Sequence, residues 1–323
     1  MKALVYRNYG SAENLKVEDV AEPVPKADQV LVEVQAVALN ASDVEFLHGS
    51  PIYVRMWGLR RPGYPILGSD IAGRVLAVGE SVTRFSPGDE VFGDAFDFWG
   101  GLGQRVCAPE SRLLRKPAEL SFAQAAAIPQ SGVLAWQCLR ACPNLASAQI
   151  AINGAGGGAG TFAVQIAAHF GARAITAVDR GDKLARLQEL GAQRVIDYRQ
   201  RSFAEDSDFY DHIVDFVATQ PLGVCARSLR SQGTYQLVGG SLLRLVSAGL
   251  SGAIVSKLTG KKLGVFVHRQ SLEDLQQVAD LCVQGKVIPV IDRCYALAES
   301  AEAFAHLAAG HIVGKAIVNP QAR

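Results

Sequence analysis

The chain has 323 residues, and a prior of roughly 150 residues per domain makes about two domains with enough length to bury a core. Thirty-two Lys and Arg against 31 Asp and Glu leave a net charge of +1, which offers no global field for nucleic acid or for an acidic membrane surface. A hydrophobic content of 49% with 20% charged residues excludes a disordered chain, and 32 glycines, above the usual ~7%, announce tight backbone turns.

Met1-Lys2-Ala3-Leu4-Val5-Tyr6 has no basic stretch followed by an apolar run of secretory length, so the expected address is cytoplasmic. Residues 2–6, 30–39 and 71–79 are short Val/Leu/Ala-rich runs bounded by turn signals such as Pro23-Val24-Pro25 and Ser86-Pro87-Gly88-Asp89, which predicts a β-rich region. From Ser121, a capping residue before Phe122-Ala123-Gln124-Ala125-Ala126-Ala127, helix and strand patterns alternate. Strands are expected at 149–153, 174–178, 194–196, 212–216 and 234–238, with helices at 160–170 and 183–190, the pattern of a doubly wound parallel sheet. The apolar stretch 237–255 contains Arg244 and four glycines and reads as a loop and a buried helix rather than a membrane span. A helix over 272–283 and a final strand, Lys315-Ala316-Ile317-Val318, close the chain.

The chemistry lies in one turn. The strand Ile150-Ala151-Ile152-Asn153 runs into Gly154-Ala155-Gly156-Gly157-Gly158-Ala159-Gly160 and at once into the helical Thr161-Phe162-Ala163-Val164. Gly157 and Gly160 let the backbone approach a pyrophosphate and let helix and strand pack closely, while the helix N-terminus points free N–H groups at the phosphates. The next strand ends in Asp179, close to the ~20-residue spacing of a ribose-binding acid. Ala155, Gly156, Gly157, Gly158, Ala159 and Gly160 are therefore candidate cofactor residues. Asp179 suits a free ribose 2′-hydroxyl, whereas Arg180 and Lys183 beside it suit a 2′-phosphate or form a solvated helix start. The six cysteines show no metal spacing and are expected to be reduced core thiols; no His pair has a metalloprotease spacing, and no G-x-S-x-G elbow is present.

These residues, with Leu39-Asn40-Ala41-Ser42-Asp43, Leu67-Gly68-Ser69-Asp70-Ile71-Ala72-Gly73, Phe85-Ser86-Pro87-Gly88-Asp89-Glu90-Val91-Phe92-Gly93, Leu190-Gly191-Ala192 and Gly310-His311-Ile312-Val313-Gly314-Lys315, give a chain that resembles the medium-chain dehydrogenase/reductase superfamily. The similarity is to its zinc-free branch of quinone oxidoreductases and enoyl reductases, over nearly the whole chain. It implies an α/β fold: a GroES-like β-rich catalytic domain from 1–124 and 268–323 around a doubly wound Rossmann domain at 125–267, with the active site in the cleft between them. Asn40 stands where zinc-dependent relatives have a ligand cysteine, and Ser69-Asp70 replaces their His-Glu pair, so no zinc is expected.

The resemblance gives Asn40 a substrate-orienting role, with a turn cap as the alternative, and marks Asp43 as a family acid that could be structural. Glu45 takes the place of a common tyrosine and is a candidate proton donor; Tyr53 and His48 lie nearby in sequence, and Leu134 replaces a usual threonine. Lys183 and Tyr198 match residues that grip a 2′-phosphate, which favours NADP(H) with NAD(H) possible, while Val217, Gly239, Gly240, Ser241, Phe266 and Val267 match the nicotinamide side. The expected reaction is hydride transfer to a small apolar quinone or α,β-unsaturated carbonyl. The alternatives are a metal-free alcohol dehydrogenase or carbonyl reductase and a weakly catalytic NADPH-binding sensor or interaction protein. No nucleic-acid or membrane partner is expected; a homodimer is possible.

Overall fold

The structure is a computed structural model that describes residues 1–239 and 242–322, with the side chains of residues 242–245, 250–251 and 253–254 outside the description. Gly240 and Ser241, expected at the cofactor, therefore lie outside the described residues.

In chain order the strands and helices are β1 (Lys2–Val5), β2 (Lys16–Asp19), β3 (Gln29–Ala38), α1 (Ala41–His48), β4 (Asp70–Val78), β5 (Glu90–Asp94), β6 (Arg105–Pro109), β7 (Leu113–Arg115), α2 (Phe122–Ala127) and α3 (Pro129–Arg140). There follow β8 (Gln149–Asn153), α4 (Gly158–His169), β9 (Ala174–Asp179), α5 (Leu184–Glu189), β10 (Arg194–Asp197), β11 (Tyr210–Asp215), α6 (Leu222–Ser228), β12 (Leu229–Leu237), α7 (Leu242–Thr259) and β13 (Lys262–Val265). The chain closes with α8 (Leu272–Val283), β14 (Ile291–Ala296), α9 (Ser300–Ala308) and β15 (Lys315–Asn319). Two compact units result, one from Met1–Ser131, Gln270–Gln284 and Pro289–Arg323, the other from Gly132–Arg269 and Gly285–Ile288. Against the expected break after residue 124, the first unit keeps α2. That helix is capped by Ser121, whose Oγ accepts from Gln124 N at 3.2 Å, and its buried Ala125, Ala126 and Ala127 lie against β3, β4 and β15.

The first unit is β-rich. Its main sheet runs β14-β15-β3-β4-β5-β7 with β6 also paired to β3, and β1 and β2 form a separate hairpin. On β3 the alternate residues Val30, Val32 and Val34 are fully buried, each contributing roughly 1.5–3 kcal/mol of apolar burial. Ala38 of β3 pairs with Asp70 of β4, and Leu39 N donates to Ala316 O at 3.0 Å, so the end of β3 lies beside the starts of β4 and β15.

The second unit holds a six-stranded all-parallel sheet in the order β10-β9-β8-β11-β12-β13. Strand order reverses between β8 and β11, the position where doubly wound sheets bind ligands beyond the strand ends. The sixth strand, β13, and helix α6 escape sequence reading because Lys262-Leu263-Gly264-Val265 is too short for a periodic signal and Gly223 interrupts the helical pattern. The stretch 237–255 contains the strand end and most of α7, and among the described residues no helix is long and apolar enough to cross a membrane. All six cysteines are unpaired; four are buried, but Cys107 is half-buried and Cys294 exposed, so the expectation of six core thiols fails at two of them. Both lie on strands with one accessible face.

Candidate functional site

The expected cofactor residues of the second unit line up along the C-terminal edge of its sheet. Reading across it, Tyr198 follows β10, Asp179 ends β9, the glycine turn follows β8, Val217 lies beyond β11, Gly239 beyond β12, and Phe266 and Val267 beyond β13. At ~4.8 Å per strand this row spans roughly 24 Å.

At its centre Gly154 adopts φ +81°, and Gly157 caps α4. Thr161 N donates to Gly157 O at 3.0 Å, so the N–H groups of Gly158, Ala159 and Gly160 have no acceptor within the helix and face the turn. A Cβ on Gly160 would lie 2.3 Å from Gly154 O, which is why that position holds glycine. The turn thus presents unpaired backbone N–H groups at a helix N-terminus, the kind of place where anions bind.

Asp179 is buried over this turn. Its Oδ2 accepts from Gly156 N at 2.7 Å and its Oδ1 from Arg180 N at 2.8 Å, and Lys183 Nζ lies 3.6 Å from Oδ1. The carboxylate is thus engaged by the turn, and its charge is offset by Lys183, itself buried. Arg180 pairs with Asp182, and Tyr198, half exposed, donates its N–H to Asp179 O at 3.2 Å.

Asp215, which sequence reading missed, organises the other half of the row. Fully buried, it accepts from Asn153 Nδ2 at 2.8 Å, Tyr235 Oη at 2.9 Å, Val217 N at 3.1 Å and Ala218 N at 2.7 Å. It thereby fixes Val217 against the turn, where a Cβ on Gly154 would meet Val217 Cγ2 at 2.7 Å. A lone acid closing an apolar strand was the available signal.

In the first unit a second group of polar side chains is buried. Asn40, Asp43, Asp70, Ser131 and Lys315 are each at most 5% exposed. Lys315 Nζ donates to Asn40 Oδ1 at 2.5 Å and to Ser131 Oγ at 3.2 Å, and stands 3.6 Å from Asp70 Oδ2. Asn40 Nδ2 donates to Asp70 Oδ2 at 3.0 Å and to Ala38 O at 3.4 Å, while Ser131 Oγ donates to Asn40 Oδ1 at 3.5 Å. Asp70 also accepts from Gln130 N at 3.1 Å. Burial pushes the Asp70 carboxyl up and the Lys315 amine down, and the attraction between them draws each back.

This geometry bears on two of the expected site residues. The Asn40 amide is engaged by protein on both sides, its Nδ2 donating to Ala38 O and Asp70 and its Oδ1 accepting from Lys315 and Ser131. Asp43 staples two loops: its Oδ2 accepts from Asn40 N at 2.7 Å and its Oδ1 from Gly68 N at 2.9 Å. Burial pushes Asp43 up to about 6, against the pull of those two donors. Asp70, Ser131 and Lys315 were missed because they lie far apart in sequence, although a lysine opening an otherwise apolar strand was a visible cue.

Glu45 is differently placed. It is half-buried on α1, and Tyr53 Oη donates to its Oε2 at 3.4 Å. Burial pushes the Glu45 carboxyl up, which the tyrosine partly offsets, and burial together with Glu45 pushes the Tyr53 phenol up to about 12. An aromatic cluster adjoins them, with Phe46 4.6 Å from Trp99 and 5.6 Å from Trp57 between ring centroids. His48 is exposed.

Residues 26–118 match the alcohol dehydrogenase GroES-like domain, and residues 190–318 match a family described as zinc-binding dehydrogenase. The chain is 31% identical to the 2-methylene-furan-3-one reductase of Solanum lycopersicum over 99% of its own length and 79% of the relative's. It is 30% identical to the chloroplastic NADPH-dependent alkenal/one oxidoreductase of Arabidopsis thaliana, over 99% of this chain and 80% of that one. Among solved structures, the quinone oxidoreductase of Coxiella burnetii superposes with a TM-score of 0.89 at 26% identity over 99% of both chains. The chain belongs to the medium-chain dehydrogenase/reductase superfamily, in its quinone oxidoreductase and alkenal reductase branch.

The zinc of that family description does not fit these residues. Among the described residues no group of three or more His, Cys, Asp or Glu could hold a metal ion. Asn40 and Asp70 are saturated by protein donors, and the buried Ser69 Oγ, without a partner among the described residues, is a single hard hydroxyl where zinc takes thiolate and imidazole.

Proposed function

We propose that the protein is an NADPH-dependent reductase that adds hydride to the electron-poor carbon of an α,β-unsaturated carbonyl or a quinone without a metal. The observation that carries this reading is the row of strand-end residues around a glycine turn at the N-terminus of α4 in the second unit. The names of the relatives, an alkenal/one oxidoreductase and a quinone oxidoreductase among them, support the acceptor class. A bound nicotinamide dinucleotide supplies the hydride.

The chain's residues divide the remaining work. The N–H groups of Gly158, Ala159 and Gly160 hold the pyrophosphate, and Val217, Gly239, Phe266 and Val267 line the nicotinamide side. The pairing of Asp179 with Gly156 N and Lys183 removes the charge conflict with a 2′-phosphate, so Lys183, Arg180 and Tyr198 favour NADPH over NADH. Conjugated acceptors are favoured because the relatives named for alkenal/one and quinone reduction act on them, and because Asn40, Ser69 and Asp70 offer neither the thiolate nor the imidazole that zinc takes.

A reduced C=C bond also needs a proton at the α-carbon. Tyr53 Oη is the donor, and Glu45, raised by burial, returns a proton to it from solvent. The hydride, carrying its hydrogen and two electrons to the β-carbon, and the proton at the α-carbon together saturate the bond. A quinone reduced to its hydroquinone anion collects its proton at oxygen directly from water, so the two acceptors separate the roles. Tyr53→Phe and Glu45→Gln are expected to lose enone reduction by about 100-fold while quinone reduction falls less than about threefold. Equal losses on both acceptors, or none on the enone, would remove Tyr53 and Glu45 from the mechanism.

A further inference from the structure

The resemblance drawn from the sequence sets Asn40, Ser69 and Asp70 at the positions where zinc-dependent relatives carry metal-site residues. Here a cation from within the chain reaches two of the three, Asn40 and Asp70, and leaves the Ser69 hydroxyl without a partner among the described residues. Gly314, at φ +80°, turns so tightly that a Cβ would lie 2.2 Å from Val290 O, and it delivers Lys315 to the first position of β15. The β15 to β3 and β3 to β4 pairings then set that lysine beside the residue after Leu39 and beside Asp70. Its Nζ lies 2.5 Å from Asn40 Oδ1, 3.2 Å from Ser131 Oγ and 3.6 Å from Asp70 Oδ2.

We propose that the Lys315 ammonium is a resident cation that takes the place of a metal ion, coordinated by Asn40, Ser131 and Asp70 and excluding divalent ions from that position. The charge inventory supports it. Asp43, Asp70 and Asp94 are buried in the same unit, at 0%, 0% and 8% exposure. Asp43 is satisfied by two backbone N–H groups, and Asp94 by Phe96 N and Gln270 Nε2. Asp70 has the Gln130 N–H and the Asn40 amide but only Lys315 as a countercharge within salt-bridge distance among the described residues. A buried carboxylate left without its cation is strongly destabilising, whereas removing both charges together costs far less. The inference concerns the cation alone and holds whichever acceptor the enzyme reduces.

The test is a set of thermal melts on the full chain. Lys315→Ala deletes three methylenes and the ammonium, so n-propylammonium is the missing piece. The variant is expected to melt roughly 10 °C below wild type. Propylammonium should restore at least half of that loss, while 1-propanol and tetramethylammonium do nothing. Lys315→Met/Asp70→Asn should melt above Lys315→Met, a non-additive pair. If Lys315→Ala does not fold, that methionine pair decides the question. Additive losses in the pair, rescue by propanol as effective as by propylammonium, or stoichiometric zinc binding that stabilises the wild type would each overturn the proposal.

Discussion

The two units bury polar groups in opposite ways. In the second, buried acids such as Asp215 and Asp179 orient backbone N–H groups and leave the first turn of α4 open, so that polarity faces outward along a strand-end row. In the first, Asn40, Asp43, Asp70 and Lys315 satisfy one another and leave almost nothing for a ligand. The second unit's arrangement leaves donors free for a ligand, and the first unit's spends them within the protein. Glu45 and Tyr53, on the same unit, are instead only part-buried and in mutual contact, and it is to them that the proposed function assigns the proton.

The sharpest way to break the contrast is Gly160→Val. Its Cβ alone would meet Gly154 O at 2.3 Å and Ala155 O at 2.5 Å, both backbone atoms. An overpacking penalty of about 3 kcal/mol, with NADPH affinity falling at least about 100-fold, is expected in a fluorescence titration. Unchanged affinity would mean that the turn is not the phosphate site.

Next in size is a pH effect confined to the second unit. His212 is fully buried beside Thr234 Oγ1, and burial pushes its imidazole down to about 4 from the ordinary 6.5. Its folded form is therefore neutral while the unfolded chain takes up a proton below about pH 6.5. This contributes stability that is full above pH 6.5 and is lost as pH falls toward 4, up to about 3 kcal/mol. Asp43, raised to about 6, works with the opposite sign over an overlapping window, gaining stability as pH falls. Comparing the melting of His212→Gln with wild type between pH 7 and 4 isolates the histidine. A slope equal to that of wild type would refute the assignment.

Cofactor choice gives a smaller effect. Lys183→Met should weaken NADPH by about tenfold and leave NADH nearly unchanged. Equal weakening of both would show that Lys183 serves only Asp179. Smallest is Ser121→Ala, which removes the cap of α2 at a cost of about 1 kcal/mol and should leave cofactor binding untouched.

The same contrast explains what the sequence made legible. The row in the second unit follows from a repeating strand-helix pattern, so Gly154 through Gly160 and Asp179 could be read as a local motif, and Val217, Gly239 and Phe266 by family resemblance. The closed cluster joins residues 40, 70, 131 and 315, whose contact depends on the registers of β3, β4 and β15. No local pattern carries that information. Asn40 and Asp43 could be picked out from their neighbourhood, but their hydrogen-bond partners could not, since those are a property of the assembled cluster. The departure from zinc-ligand residue types at Asn40 and Ser69-Asp70 is written in the local sequence, but the lysine that reaches Asn40 and Asp70 is not.

The central claim is metal-free hydride transfer to a conjugated acceptor, and the most direct measurement follows the hydride itself. Protein freed of metal by chelation is mixed with NADPH deuterated at C4 and a small enone, and the product is analysed for the position of the label. The expected product is a saturated ketone carrying deuterium at the β-carbon, formed as fast as by untreated protein with the same cofactor. Deuterium at the carbonyl carbon, or turnover that appears only when zinc is restored, would contradict it.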